Sequence, residues 1–141
     1  MDCHVALTPC LPQQALNDEL ILFYHIWMAL YSELPIFKKS YDLLLYVFQL
    51  TKLFPKEYKY TLGEKMKTEL LDMIVSVFHA NKTQNKVLFL DQVQTHIETI
   101  RIVLRISHDL KIIPTKKFAH ASLLLESVSK QTVGWKRSTQ Q

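Results

Sequence analysis

Leu90, Val93, Ile97, Ile100 and Leu104 recur at strict three- and four-residue spacing, a period that gathers all five on one face of a helix and scatters them on a strand. A chain built on that period must bury its stripes helix against helix. The same reading extends over most of the sequence. A first helix runs from about Leu34 to Leu53, with Phe37, Tyr41, Leu44 and Phe48 as its seam and Pro35 in its first turn. Phe54, Pro55 and Lys56 interrupt it. A second helix starts at Thr61, where Glu64 three residues on completes a capping box, and carries Leu62, Met66, Leu70, Met73 and Val77 as far as the polar cluster from Asn81 to Asn85. The third, with the seam named first, ends before Pro114. Thr115 then caps a fourth, whose seam is Phe118, Ala121, Leu125 and Val128 and which Gly134 closes ahead of Trp135.

Four such helices joined by short connections place sequential neighbours side by side, so the expected fold is all-α, an antiparallel up-down four-helix bundle with an N-terminal extension. The expected division is an extension over 1–32, the bundle over 33–137 and a polar tail over 138–141. Apolar residues outside the seams remain, among them Leu43, Leu45, Val47, Val103, Ile106, Leu123 and Leu124. A lone bundle leaves some of these wet, and apolar surface of that kind points to a homo-oligomer.

The extension reads differently. Leu20 to Tyr31 is apolar but for His25, yet this run is too short to span a bilayer, and Asp2 and His4 stand where a secretory signal carries positive charge. No membrane association is expected, and the simplest compartment is the cytoplasm. Glu19, Leu20, Phe23, Trp27 and Leu30 match Glu33, Leu34, Phe37, Tyr41 and Leu44 at an offset of 14. A single match makes no repeat architecture. Two plain accounts fit, either two helical pieces in the same heptad phase or a true start at Met28.

Chemistry is sparse. The chain has only Gly63 and Gly134 as glycines, which excludes phosphate-cradling loops and dinucleotide fingerprints. Cys3 and Cys10 are too few for a disulfide scaffold, and with His4 they lack a fourth zinc ligand. None of the six histidines has the Glu-x-x-His arrangement of diiron bundles, since Glu98 stands at the wrong spacing from His96. Asp91 and Glu98 read as solvated surface acids. No catalytic residue, metal or cofactor is expected.

Charge is distributed unevenly. All 17 Lys and Arg residues follow Glu33; residues 34–141 hold 17 basic against 9 acidic side chains, a balance of +8, whereas residues 1–33 stand at −4. A small basic helical domain attracts an acidic partner through its summed field. Lys52, Lys56 and Lys59 surround the first break with Tyr58 and Tyr60 interleaved, Lys65 and Lys67 enter the second helix, and Lys111, Lys116 and Lys117 cluster at the third-to-fourth turn. Cations can meet phosphates and aromatic rings can stack on bases. Against this, Glu64 with Lys67, Glu98 with Arg101 and Arg105 with Asp109 stand at ion-pair spacing on helices, worth tenths of a kcal/mol each, as on any solvated helix face.

The run Glu-Leu-Pro-Ile-Phe-Lys-Lys-Ser-Tyr-Asp-Leu-Leu-Leu from Glu33 to Leu45, then Phe54-Pro55-Lys56 and Thr61-Leu62-Gly63, then Leu104-Arg105 with Asp109-Leu110-Lys111, and finally Val133-Gly134-Trp135 together resemble the accessory variability determinants of diversity-generating retroelements. A sister group is the four-helix proteins encoded in intervening sequences of ribosomal RNA genes. The resemblance spans roughly 33 to 137. It implies a non-enzymatic, basic homopentamer that binds reverse transcriptase and template RNA during mutagenic retrohoming. It points first to Lys38, Lys39, Lys56, Arg105 and Lys111 for phosphate or polymerase contact, and the candidate set extends to Lys59, Arg101, Lys116 and Lys117. Gly134 and Trp135 are expected to serve as end-cap and packing anchor. The sister group implies the alternative, a structural bundle without an RNA-binding role. Relatives of this kind begin close to the Glu-Leu-x-Ile-Phe pattern, so the extension departs from it.

Overall fold

The computed structural model describes the backbone of residues 13–141 and the side chains of residues 17–26 and 33–141. Cys3, His4, Cys10 and the side chains of Trp27, Met28 and Leu30, on which several expectations for the extension fall, lie outside the described residues. The described elements are all helical. They are α1 (Gln13–Ser32), α2 (Pro35–Thr51), the single turn α3 (Lys56–Tyr58), a π-helical turn (Lys59–Gly63), α4 (Glu64–Lys82), α5 (Lys86–Asp109) and α6 (Thr115–Thr139). The chain divides into two compact units between Glu33 and Leu34.

In the first unit, Leu20, Ile21, Leu22, Phe23, Tyr24 and Ile26 of α1 are all exposed. Consecutive apolar residues point in every direction around a helix, so this segment has no polar face to separate from an apolar one. Among the described residues, no helix is long and apolar enough to cross a membrane.

In the second unit, α2 packs on α4 and α6, and α5 packs on the same two helices. Four helices thereby enclose one core. The seams read in α4, α5 and α6 lie in it: Met66, Leu70, Met73, Val77, Leu90, Val93, Ile97, Ile100, Leu104, Ala121, Leu125 and Val128 are all buried. Burial of each large side chain stabilises the fold by about 1.5–3 kcal/mol before entropy is counted. In α2 the seam is displaced by one residue. Ile36, Ser40, Leu43, Val47 and Leu50 face the core, whereas Tyr41 is 44% and Phe48 38% exposed. Both faces of α2 have helical period, and the smaller side chains fit the close-packed centre. The aromatics cover the flank, where Phe37 stacks on Tyr41 and the Lys67 ammonium sits 5.5 Å from the Phe48 ring.

The helix ends also differ from expectation in three places. Thr61 caps nothing, because its hydroxyl donates to the carbonyls of Glu57 and Tyr58, inside a helical segment that begins at Pro55. Proline supplies the fixed φ of that start and needs no N–H there. Thr115 is the first residue of α6 rather than its cap, and its hydroxyl meets His108 Nε2 at 3.0 Å. Gly134 closes nothing: α6 continues to Thr139, and no glycine has positive φ. Trp135 does pack against the core. The sharp stop is at α5. Lys111 adopts φ 59, its N–H bonds to the His108 carbonyl at 2.9 Å, and the Ile112 N–H reaches the Ser107 carbonyl at 2.9 Å. These paired bonds form a Schellman motif with lysine in the left-handed position that glycine usually takes.

Candidate nucleic-acid interface

The breaks in the helices decide where the cations go. After α2, Leu53 and Phe54 turn back onto the carbonyls of Leu50 and Thr51, and Phe54 buries its ring. Gly63 lies against it, and a Cβ there would make only ordinary contacts, 3.6 Å from Phe54 Cδ2 and from the Tyr58 carbonyl oxygen. Between Pro55 and α4 the chain widens into the π turn, in which the Glu64 N–H reaches the Lys59 carbonyl five residues back. One extra residue enters the turn, a feature common at functional sites. Its outcome is that Lys59 is half-buried and Tyr60 stands 69% exposed.

Phe48, Thr51, Lys52, Lys59 and Lys67 line one shallow hollow beside this turn. A second hollow shares Lys52 and adds Tyr46, Leu53 and Lys117, with the Tyr46 hydroxyl donating to the Lys117 carbonyl at 3.4 Å. A third lies immediately before α6, between His108, Lys111, Pro114 and Thr115. The α2–α4 and α5–α6 connections therefore adjoin. They bring Lys52, Lys56, Lys59, Lys111, Lys116 and Lys117 to one end of the bundle, and none of the six has a carboxylate within 4 Å among the described residues.

The other candidates fall elsewhere. Arg101 lies between Glu98 and Glu126, at 3.5 and 3.4 Å, and Arg105 Nε bonds to Asp109 at 2.9 Å. The Arg105 hydrogen bond is the main reason that the Asp109 carboxyl titrates below its ordinary range. Charge neutralised within the chain is less available to a ligand. Lys38 and Lys39 are exposed and unpaired at the start of α2, about 20 Å along the helix from Lys52. Lys52 was the residue least marked by sequence: it belongs to the cationic, tyrosine-interleaved run, but only folding places it in two hollows at once.

A polar cluster of another kind lies between α4 and α5. Glu69 accepts from Lys65 at 2.6 Å and pairs with His96 Nδ1 at 2.7 Å, while its side chain is only 11% exposed. Burial raises the Glu69 pKa, and the bonds from His96 and Lys65 outweigh it, leaving the carboxyl below its ordinary value. Glu69 stands 27 positions from His96, so no local spacing announces the pair. Asp91 is held by Lys136, and Glu98 by Gln94 and Arg101, so the two acids are engaged separately. Among the described residues, no three His, Cys, Asp or Glu side chains converge as a metal site.

A search among curated proteins finds no match. The bAvd-like family model matches residues 34–139, nearly the whole second unit. The chain belongs to that bAvd-like family, the accessory variability determinants of diversity-generating retroelements.

Proposed function

We propose that this protein is a non-catalytic accessory factor that binds reverse transcriptase and template RNA and supports mutagenic cDNA synthesis and retrohoming. The observation that carries the reading is the coincidence of family match and charge, since the +8 balance belongs to the matched segment. The polymerase supplies the chemistry. This chain supplies a basic surface that concentrates RNA by releasing its counterions, with contacts drawn from Lys38, Lys39, Lys56, Lys59, Arg101, Arg105, Lys111, Lys116 and Lys117. The cyclic packing of α2, α4, α5 and α6 supports an antiparallel up-down order, and the adjacent connections fit it. Tyr41, Leu45, Leu71, Val75, Ile102 and Leu123 remain exposed on the bundle, in keeping with a homo-oligomer, for which the family suggests a pentamer, acting in the cytoplasm.

The test measures binding of the purified protein to a structured RNA across a salt series, with its mass taken by light scattering in the same samples. Salt-dependent binding by a pentamer is expected. An oligomer that ignores RNA at every salt would instead support a purely structural bundle.

A further inference from the structure

We infer that the bundle end formed by the α2–α4 and α5–α6 connections is a binding site for single-stranded nucleic acid, with Tyr60 as a stacking platform and Lys52, Lys59, Lys111 and Lys117 as backbone contacts. The inference rests on the nucleic-acid part of the reading above and locates it. Three independent features meet at this end. The cations are free of internal partners, whereas Arg101, Arg105, Lys67 and Lys136 are held by carboxylates. The acids nearby are mostly engaged, Glu64 by Lys67 and Asp109 by Arg105, which leaves Glu57.

Second, the π turn and the positive-φ residue of the second unit both belong to this end. The π turn projects Lys59 and Tyr60, and the left-handed residue is Lys111. Left-handed backbone is costly for any residue with a Cβ, and this helix end carries a lysine where glycine is usual. Third, Tyr60 has most of its ring in solvent although it sits in an ordered turn. A duplex presents phosphates but conceals the faces of its bases. An exposed ring among cations gains from a strand whose bases are unstacked, and every base offers a face to it.

The experiment uses the full chain with a short unstructured RNA, the DNA of the same sequence, and the corresponding RNA duplex, each followed by anisotropy across a salt series. Lys59→Gln/Lys111→Gln/Lys117→Gln is expected to lower the slope of log affinity against log salt by about 2 for the single strand, at about 0.7 per lost contact. Lys130→Gln/Arg137→Gln, a charge loss farther along α6, is expected to leave that slope unchanged. Tyr60→Ala is expected to weaken single-strand binding about tenfold and spare the duplex. Circular dichroism establishes that each variant is folded.

Equal affinity for RNA and DNA would support the site with recognition through phosphates and base faces; a preference for one would support it with the sugar read as well. Wild-type protein that binds no nucleic acid would overturn the broader reading itself. Wild-type binding that the two sets of charge changes reduce alike, or that Tyr60→Ala leaves intact, would overturn the location while the broader reading stands. Single-strand binding that Lys59→Gln/Lys111→Gln/Lys117→Gln leaves at the wild-type salt slope would likewise overturn the inference.

Discussion

Lys111 is where stability and charge pull in opposite directions. Its left-handed backbone costs about 1–2 kcal/mol relative to the ordinary helical region, and glycine would relieve that cost while adding freedom to the unfolded chain. Lys111→Gly is therefore expected to stabilise the protein by about 1 kcal/mol in urea unfolding and, at the same time, to weaken RNA binding. A lysine placed only for packing would give the first effect without the second. Glu69 presents the reverse case, a charge that serves the fold. Because its folded pKa lies below the unfolded value, its stabilisation is present above the unfolded carboxylate range and is lost as pH falls through the folded pKa. Glu69→Gln is expected to cost about 2 kcal/mol near neutral pH, with the gap from wild type closing as pH drops below the carboxylate range. A gap constant from neutral to strongly acidic pH would mean that shape rather than ionisation holds this site.

At the scale of the elements, sequence made α4, α5 and α6 legible because each carries an apolar stripe at three- and four-residue spacing that the core takes up. In α2, Phe37, Tyr41, Leu44 and Phe48 compete with Ile36, Leu43, Val47 and Leu50, two stripes one residue apart. Periodicity cannot rank them. Packing volume does, by giving the centre to the smaller set. Helix ends were less legible, since a threonine donating back to a carbonyl and a threonine capping an N–H look the same in sequence. Thr61 belongs to the first kind. The π turn has no sequence signature of its own, so sequence makes Lys59 and Tyr60 neighbours without showing that one is half-buried and the other exposed. Gly134 exemplifies a residue type overruled by context. It is helical, and a Cβ there would meet nothing within 4 Å. Gly134→Ala should stabilise the protein by about 1 kcal/mol, as in any exposed helix interior. A left-handed cap would respond with a loss instead, so thermal unfolding of this one variant distinguishes the two conformations.

On the scale of the whole molecule, the two units carry opposite charge: −4 over residues 1–33 and +8 over residues 34–141. The second unit has its own closed core of residues from α2, α4, α5 and α6, and the family match begins where that unit begins, at residue 34. A chain shortened to Met28 is therefore expected to fold with the same unfolding free energy, within about 0.5 kcal/mol, the margin typical of changes outside a core. Its RNA affinity should rise at low salt, because the deletion removes Asp2, Asp18 and Glu19 and no cation, and the rise should fade as salt screens the field. Light scattering on the same samples examines the exposed apolar run from Leu20 to Ile26. An unchanged mass would leave assembly to the bundle faces, which carry their own exposed apolar side chains. Collapse to a smaller species would assign the run to a subunit interface and would give the extension an architectural role beside its charge.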